Sequence, residues 1–162
     1  MLHTAQFESP IGTLEICASE KGIRWINLPE CGPRLGREKQ SVGDRNPILC
    51  QAAEELSEYF KGIRRCFNVL LDARGTEFQL QVWMSLKEIP YGSTKSYAEQ
   101  ASIIGRPKAA RAVGGANAMN PIPIILPCHR VIGSNGALTG YAGGTAQLHL
   151  KEYLLSLEKG NA

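Results

Sequence analysis

Apolar residues in the first third of the chain fall into short runs over residues 3–8, 13–18 and 23–28. The turn-formers Ser9-Pro10-Ile11-Gly12 and Ser19-Glu20-Lys21-Gly22 separate them, which predicts three short strands. The period then changes. Leu49, Ala52, Ala53, Leu56, Tyr59 and Phe60 recur at helical spacing, with Asn46 as the cap, Pro47 in the first position and Gly62 as the stop. Between strands and helix, residues 31–46 are polar and rich in Gly and Arg, the composition of an irregular loop. Residues 67–71 could return to the sheet as a further strand, and Asp72-Ala73-Arg74-Gly75 reads as a linker.

Helical spacing dominates the second half. Thr76 with Gln79 makes a capping box, and Phe78, Val82, Leu86 and Ile89 mark one face of the helix it opens, which Pro90-Tyr91-Gly92 ends. Ser96 with Glu99 makes another, opening a helix that runs through Ile104. Gly105-Arg106 is a tight turn, and Pro107 starts a helix over residues 108–118 whose Ala109, Ala110, Ala112 and Ala116 permit close packing. Helix, glycine turn, helix is the layout of a helix-turn-helix, although many helical hairpins share it. The apolar run Ile122-Pro123-Ile124-Ile125-Leu126 predicts a short buried strand. A glycine-rich loop over residues 133–144 follows it, and residues 145–157 close the chain as a helix.

Composition narrows the class. A chain of 162 residues with 43% hydrophobic and 20% charged residues is ordinary globular protein of one or two domains. No apolar run reaches the length of a membrane span, and Met1-Leu2-His3-Thr4 lacks a signal-peptide layout. The five cysteines are odd in number, widely spaced and without Cys-x-x-Cys, which predicts neither a zinc site nor a disulfide framework and fits a reducing cytoplasm. The net charge of +3 is unevenly placed. Residues 1–75 hold ten Lys+Arg against ten Asp+Glu, and residues 76–162 hold eight against five. Between Ser93 and Asn135, Lys95, Arg106, Lys108, Arg111 and Arg130 face the single acid Glu99, the sign of a nucleic-acid surface.

Pro127-Cys128-His129-Arg130 carries the candidate chemistry. Cationic neighbours favour thiolate over thiol, and a purely packing cysteine has no use for two polar neighbours. Adjacent residues on a strand point to opposite faces, so Cys128 and His129 can cooperate only where the chain turns. A Cys-His hydrolase would draw its histidine from elsewhere; His149, on the closing helix, could reach Cys128 but reads better as a surface residue.

Several ordered motifs point further. Phe78-Gln79-Leu80-Gln81-Val82-Trp83, Ile89-Pro90-Tyr91-Gly92, Ser96-Tyr97, the stretch from Gly105 to Gly114, Asn120-Pro121, Pro127-Cys128-His129-Arg130-Val131-Ile132 and Gly140-Tyr141-Ala142-Gly143-Gly144 closely resemble the O6-alkylguanine-DNA alkyltransferases. The β-rich first half resembles them more weakly. The resemblance implies suicidal DNA repair: an alkyl group passes from O6 of a flipped guanine to the protein's own cysteine, once. It makes Cys128 the acceptor, His129 the base acting through a water, and Glu158 the acid that orients His129. By the same resemblance Asn120 would brace the turn presenting Cys128, Arg111 would fill the place of the extruded nucleotide, and Tyr97 would help rotate the phosphate and protonate the leaving guanine. Lys108, Ala110 and Arg130 would contact DNA, while Val131, Tyr141, Ala142 and Gly143 would line the base pocket. The segment Thr145 to Leu150 is longer than the family's usual interval, which leaves Glu152 as an alternative to Glu158.

The expected fold is α+β. A small β-rich domain with one helix occupies residues 1–75. A mostly helical domain with a helix-turn-helix, and a short strand leading to the reactive cysteine, occupies residues 76–162. The expected protein is a cytoplasmic monomer in the absence of DNA, with no cofactor, no metal and no membrane association. Its partner is double-stranded DNA containing alkylated guanine, with O4-alkylthymine a further candidate substrate. A non-catalytic sensor of alkylated DNA would lack the acceptor cysteine, and a hydrolase would turn over many times, so both stay open to experiment.

Overall fold

Strands β1 (Leu2–Ser9), β2 (Gly12–Ala18) and β3 (Ile23–Asn27) form an antiparallel meander in a computed structural model, which describes residues 1–29, 40–42, 45–138 and 147–161. The chain divides into two compact units, Met1–Arg74 and Gly75–Ala162. In the first, a short strand β4 (Gln40–Val42) adds parallel to β1, giving the order β3-β2-β1-β4. The sequence places those residues in an irregular loop, because three residues carry too little pattern to announce a strand.

Helix α1 (Pro47–Phe60) starts where Asn46 accepts from the backbone N–H groups of Ile48 and Leu49, a cap worth about 1 kcal/mol. Its face of Leu49, Ala52, Leu56, Tyr59 and Phe60 is buried and packs on the sheet with Leu14, Ile16, Ile23 and Trp25 in the core. Glu55 lies on the same buried face. Its carboxylate accepts from the backbone of Asn68 (2.8 Å) and Val69 (3.0 Å) and pairs with Arg64. Residues 67–71 are therefore not the expected strand. Glu55 captures the amides that a ladder would use, and only Leu71 bridges to Ile23.

In the second unit, α2 (Glu77–Ser85) opens on the complete Thr76–Gln79 capping box and continues as a 3-10 turn over Leu86–Glu88. A side chain at Gly75 would meet the Trp83 ring at 2.6 Å, so the unit begins with a close approach only glycine permits. Strand β5 (Lys95–Ser96) leads through a second capping box into α3 (Tyr97–Ile103). Gly105, at φ +74°, turns the chain toward α4 (Ala110–Ala118). The latter begins at Ala110 rather than Lys108, because Ala109 N–H closes a turn onto Arg106 C=O and Ala109 is not helical.

The apolar run before Cys128 is likewise not a strand. Leu126 N–H returns to Ile122 C=O at 2.9 Å around Ile124, which sits at φ 75°. Pro121 and Pro123 lack donors for a ladder, and Asn120 holds the resulting loop by accepting from Ile122 N–H and donating to Leu126 C=O. The short strand β6 (Val131–Ile132) comes after the cysteine and pairs in parallel with β5. The closing helix α5 runs over Leu148–Asn161, past the expected end at residue 157. No described helix is long and apolar enough to cross a membrane.

Candidate active site

Cys128 opens a 3-10 turn, Cys128–Arg130, that follows directly on the Asn120-braced loop. Its amide donates to Leu126 C=O at 2.8 Å, the same carbonyl that accepts from Asn120 Nδ2. The thiol residue is 6% exposed, so a substrate atom reaching it must enter the protein surface. Because the chain turns here, the objection that neighbours on a strand face apart does not apply to Cys128 and His129.

His129 is fully buried, and its Nε2 lies 2.5 Å from Glu158 Oε2. Glu158, buried on α5, also accepts from Arg130 Nε (2.8 Å), Arg130 Nη2 (3.1 Å) and Gly92 N–H (3.2 Å). Burial alone would raise its carboxyl, but the hydrogen bonds and charges of His129 and Arg130 outweigh that and hold it well below the usual carboxylate range. An ionised Glu158 only accepts, so Nε2 carries the hydrogen in this pair. Burial lowers the His129 pKa, assisted by the positive charges of Arg130 and Lys151 and opposed by Glu158. The imidazole is therefore neutral near pH 7, and its lone pair is on Nδ1. Nδ1 is buried and meets no hydrogen-bond partner among the described residues.

The structure brings together Asn120 from the loop after α4, Cys128 and His129 from the 3-10 turn, and Glu158 from α5. It also separates Glu158 from Glu152, which is exposed on another face of α5. His149 is exposed on that helix as well. Arg130, expected at the DNA surface, is instead buried. It gives its guanidinium to Glu158 and to Ile89 C=O (2.8 Å), charge-assisted bonds that leave it no donor group for a surface contact with DNA. Lys108, in the turn before α4, and Arg111, at its start, are exposed, and Ala110 is half-buried. Tyr97 is half-buried at the start of α3, and a Cβ at Gly114 would lie 3.6 Å from its ring. Val131 is buried beside the turn. Tyr141, Ala142 and Gly143 lie outside the described residues.

One residue of the site escapes the sequence reading. Lys151 is 1% exposed, and its Nζ donates to Val131 C=O at 2.6 Å. Burial pushes this ammonium down from its usual range, and the charge of Cys128 acts in the opposite direction. The signal was present: Lys151, Leu154 and Glu158 share one face of α5 by their spacing of three and four, so two charged residues lie on an apolar stripe. Among the described residues, no group of His, Cys, Asp and Glu side chains is placed to hold a metal ion.

Comparison with known proteins assigns both units. The profile for the DNA binding domain of 6-O-methylguanine DNA methyltransferase matches residues 77–160, and that for its ribonuclease-like domain matches residues 2–73. The chain is 48% identical over 161 residues to a methylated-DNA–protein-cysteine methyltransferase of Methanosarcina acetivorans, spanning 97% of this chain and 98% of that one. It is 42% identical to the constitutive methylated-DNA–protein-cysteine methyltransferase of Bacillus subtilis, spanning 94% and 92%. The crystal structure of Mycobacterium tuberculosis OGT in complex with DNA superposes with a TM-score of 0.87 at 45% identity, over 99% of this chain and 94% of that one. With a buried Cys–His–Glu site in one unit and both halves matched over nearly their whole length, this chain belongs to the 6-O-methylguanine DNA methyltransferase family.

Proposed function

We propose that the protein repairs DNA by moving the alkyl group of O6-alkylguanine onto Cys128, irreversibly and once per molecule. The observation that carries this reading is the buried network His129–Glu158–Arg130 beside a buried thiol. It holds a neutral imidazole with its lone pair on the atom not committed to Glu158. Cys128 gives its proton, through a water, to His129 Nδ1. The imidazolium so formed is stabilised by Glu158, as in other acid–histidine pairs. The Lys151 ammonium favours the thiolate. The sulfur then forms a bond to the alkyl carbon as the carbon–O6 bond breaks, and the electron pair leaves on the guanine. The Tyr97 hydroxyl supplies the proton that neutralises the departing base.

Duplex DNA is the proposed partner, supported by the M. tuberculosis relative solved in complex with DNA and by the exposed cations Lys108 and Arg111 at and just before the start of α4. A thiol this deeply buried cannot reach a stacked base, so the nucleotide must flip out, at a cost of a few kcal/mol. Arg111 takes its place in the stack, Lys108 and Ala110 face the backbone, and Asn120 and Val131 shape the floor on which Cys128 sits. Tyr141, Ala142 and Gly143 complete the base pocket in this reading, and O4-alkylthymine is a further substrate to be assayed. The proposed setting is the cytoplasm, where thiols stay reduced. A sensor without chemistry fits poorly, since the cysteine, its base and its acid are all in place.

Titration tests the reading. Limiting protein is mixed with excess duplex carrying one O6-methylguanine, and restored guanine is counted. The count should plateau at one per protein molecule. Continued turnover would favour a hydrolase, and no repair at all would leave only binding.

A further inference from the structure

Helix α4 carries Arg111, yet little in its own sequence holds it. It has nine residues, includes Gly114 and Gly115, and receives no side-chain cap at Ala109. A helix this short is marginal by itself, and interior glycine weakens it further. Of its first five residues only Val113 is buried; Ala110, Arg111, Ala112 and Gly114 are exposed or half-buried. Beyond the apolar contact of Val113, the hydrogen bonds that anchor it are concentrated at its C-terminal end. Trp83 Nε1 donates to Ala116 C=O at 2.8 Å. Beside it lies a pair of buried amides: Asn117 Nδ2 donates to Gln100 Oε1 at 2.6 Å, and Gln100 Nε2 lies 3.3 Å from Asn117 Oδ1. Gln100 Nε2 also reaches Ser85 Oγ (3.1 Å) and Val82 C=O (3.2 Å), tying α2, α3 and α4 at one point. Gln100 is fully buried and Asn117 is 6% exposed.

We propose that the Gln100–Asn117 amide pair is a positioning device, which fixes the rotation and register of α4 so that Arg111 meets the duplex at the right place. Apolar side chains at these points would pack in several rotations. A mutually satisfied amide pair is satisfied in one, and a buried polar group left unpaired costs about 1–3 kcal/mol. The pair lies apart from the thiol chemistry. Asn120 contacts Asn117 only through the backbone, its N–H donating to Asn117 C=O at 3.1 Å, so changing the Asn117 side chain leaves the Asn120–Leu126–Cys128 brace intact. The inference rests on the repair reading, in which Arg111 acts on duplex DNA and not on the free base.

The test uses Asn117→Leu, Gln100→Met and the double variant of the whole protein. Each is assayed on duplex O6-methylguanine and on free O6-benzylguanine, with thermal unfolding alongside. The single variants should be less stable than the wild type, and the double should recover, since replacing both partners by apolar groups of similar shape can be nearly neutral. The double variant should nevertheless repair duplex about tenfold more slowly while alkylating with the free base at the wild-type rate, because misplacement far from the chemistry costs reactivity only where geometry matters. The swapped pair Gln100→Asn with Asn117→Gln should restore much of the duplex rate. The ratio of the two rates does not depend on the folded fraction, so it remains readable even where a variant is partly unfolded. An unchanged ratio in the double variant overturns the proposal and makes the pair a packing feature. A wild-type protein that repairs neither substrate overturns the repair reading instead.

Discussion

Glu158 accepts hydrogen bonds from His129, Arg130 and Gly92, and each partner is held in place by it. Glu158→Gln keeps the shape and deletes the charge, leaving the Arg130 guanidinium buried without its counter-ion. Breaking such a pair costs roughly 3 kcal/mol or more. Denaturant unfolding should therefore show a large loss for Glu158→Gln and a change within about 0.5 kcal/mol for the exposed Glu152→Gln. Alkylation by free O6-benzylguanine should slow only in the former. His129 gives a pH signature. The unfolded chain takes up a proton at this histidine near the ordinary value of 6.5, while the buried imidazole does so only at lower pH. Below 6.5 the unfolded state binds the extra proton, so stability falls as pH drops, by at most about 1.4 kcal/mol per pH unit from this group. Well above 6.5 the group contributes no slope. The depressed Glu158 carboxyl stabilises the fold fully above its unfolded value of 4.5 and adds no slope between 6.5 and 5. Unfolding measured across that window should be less pH-dependent in His129→Gln than in the wild type. Equal slopes would mean that His129 is protonated in the fold.

Two glycines with no atom near a prospective Cβ separate backbone geometry from packing. Gly105 sits at φ +74° between α3 and α4, where an L side chain is strained by about 1 kcal/mol. Gly115 lies within α4 with open space around it, where alanine adds about 0.5–1 kcal/mol of helix stability. Gly105→Ala should lower the unfolding midpoint and Gly115→Ala should raise it, and shifts of the same sign would contradict the helix-turn-helix geometry. The elements that the sequence announced are those with local chemistry: the Asn46 cap, the two capping boxes and the glycine turn. Two of the readings that misled were overridden by distant partners: Glu55 takes amides from residues 68 and 69, and Glu158 draws Arg130 inward from the surface. In the run before Cys128 the apolar composition outweighed a local signal, the prolines at 121 and 123 that make it a loop. Within the site, Cys128 and His129 were legible from one tetrapeptide, whereas Lys151 becomes visible only once its helix face is known to be buried.

Across the whole molecule the positive excess lies in the second half, with Lys108 and Arg111 exposed. Binding through phosphate contacts weakens steeply with salt, while chemistry on a free base has no such dependence. Arg111→Ala should thus slow repair of duplex DNA far more than alkylation by free O6-benzylguanine, and equal losses would move Arg111 from flipping into chemistry or folding. The central claim concerns where the alkyl group ends. The protein is mixed with duplex carrying O6-methylguanine, digested and mapped by mass. Cys128 should carry one added methylene in stoichiometric yield, and Cys128→Ala should carry none. A methyl group on Cys17, Cys31, Cys50 or Cys66, or unmodified protein beside repaired DNA, would contradict the account.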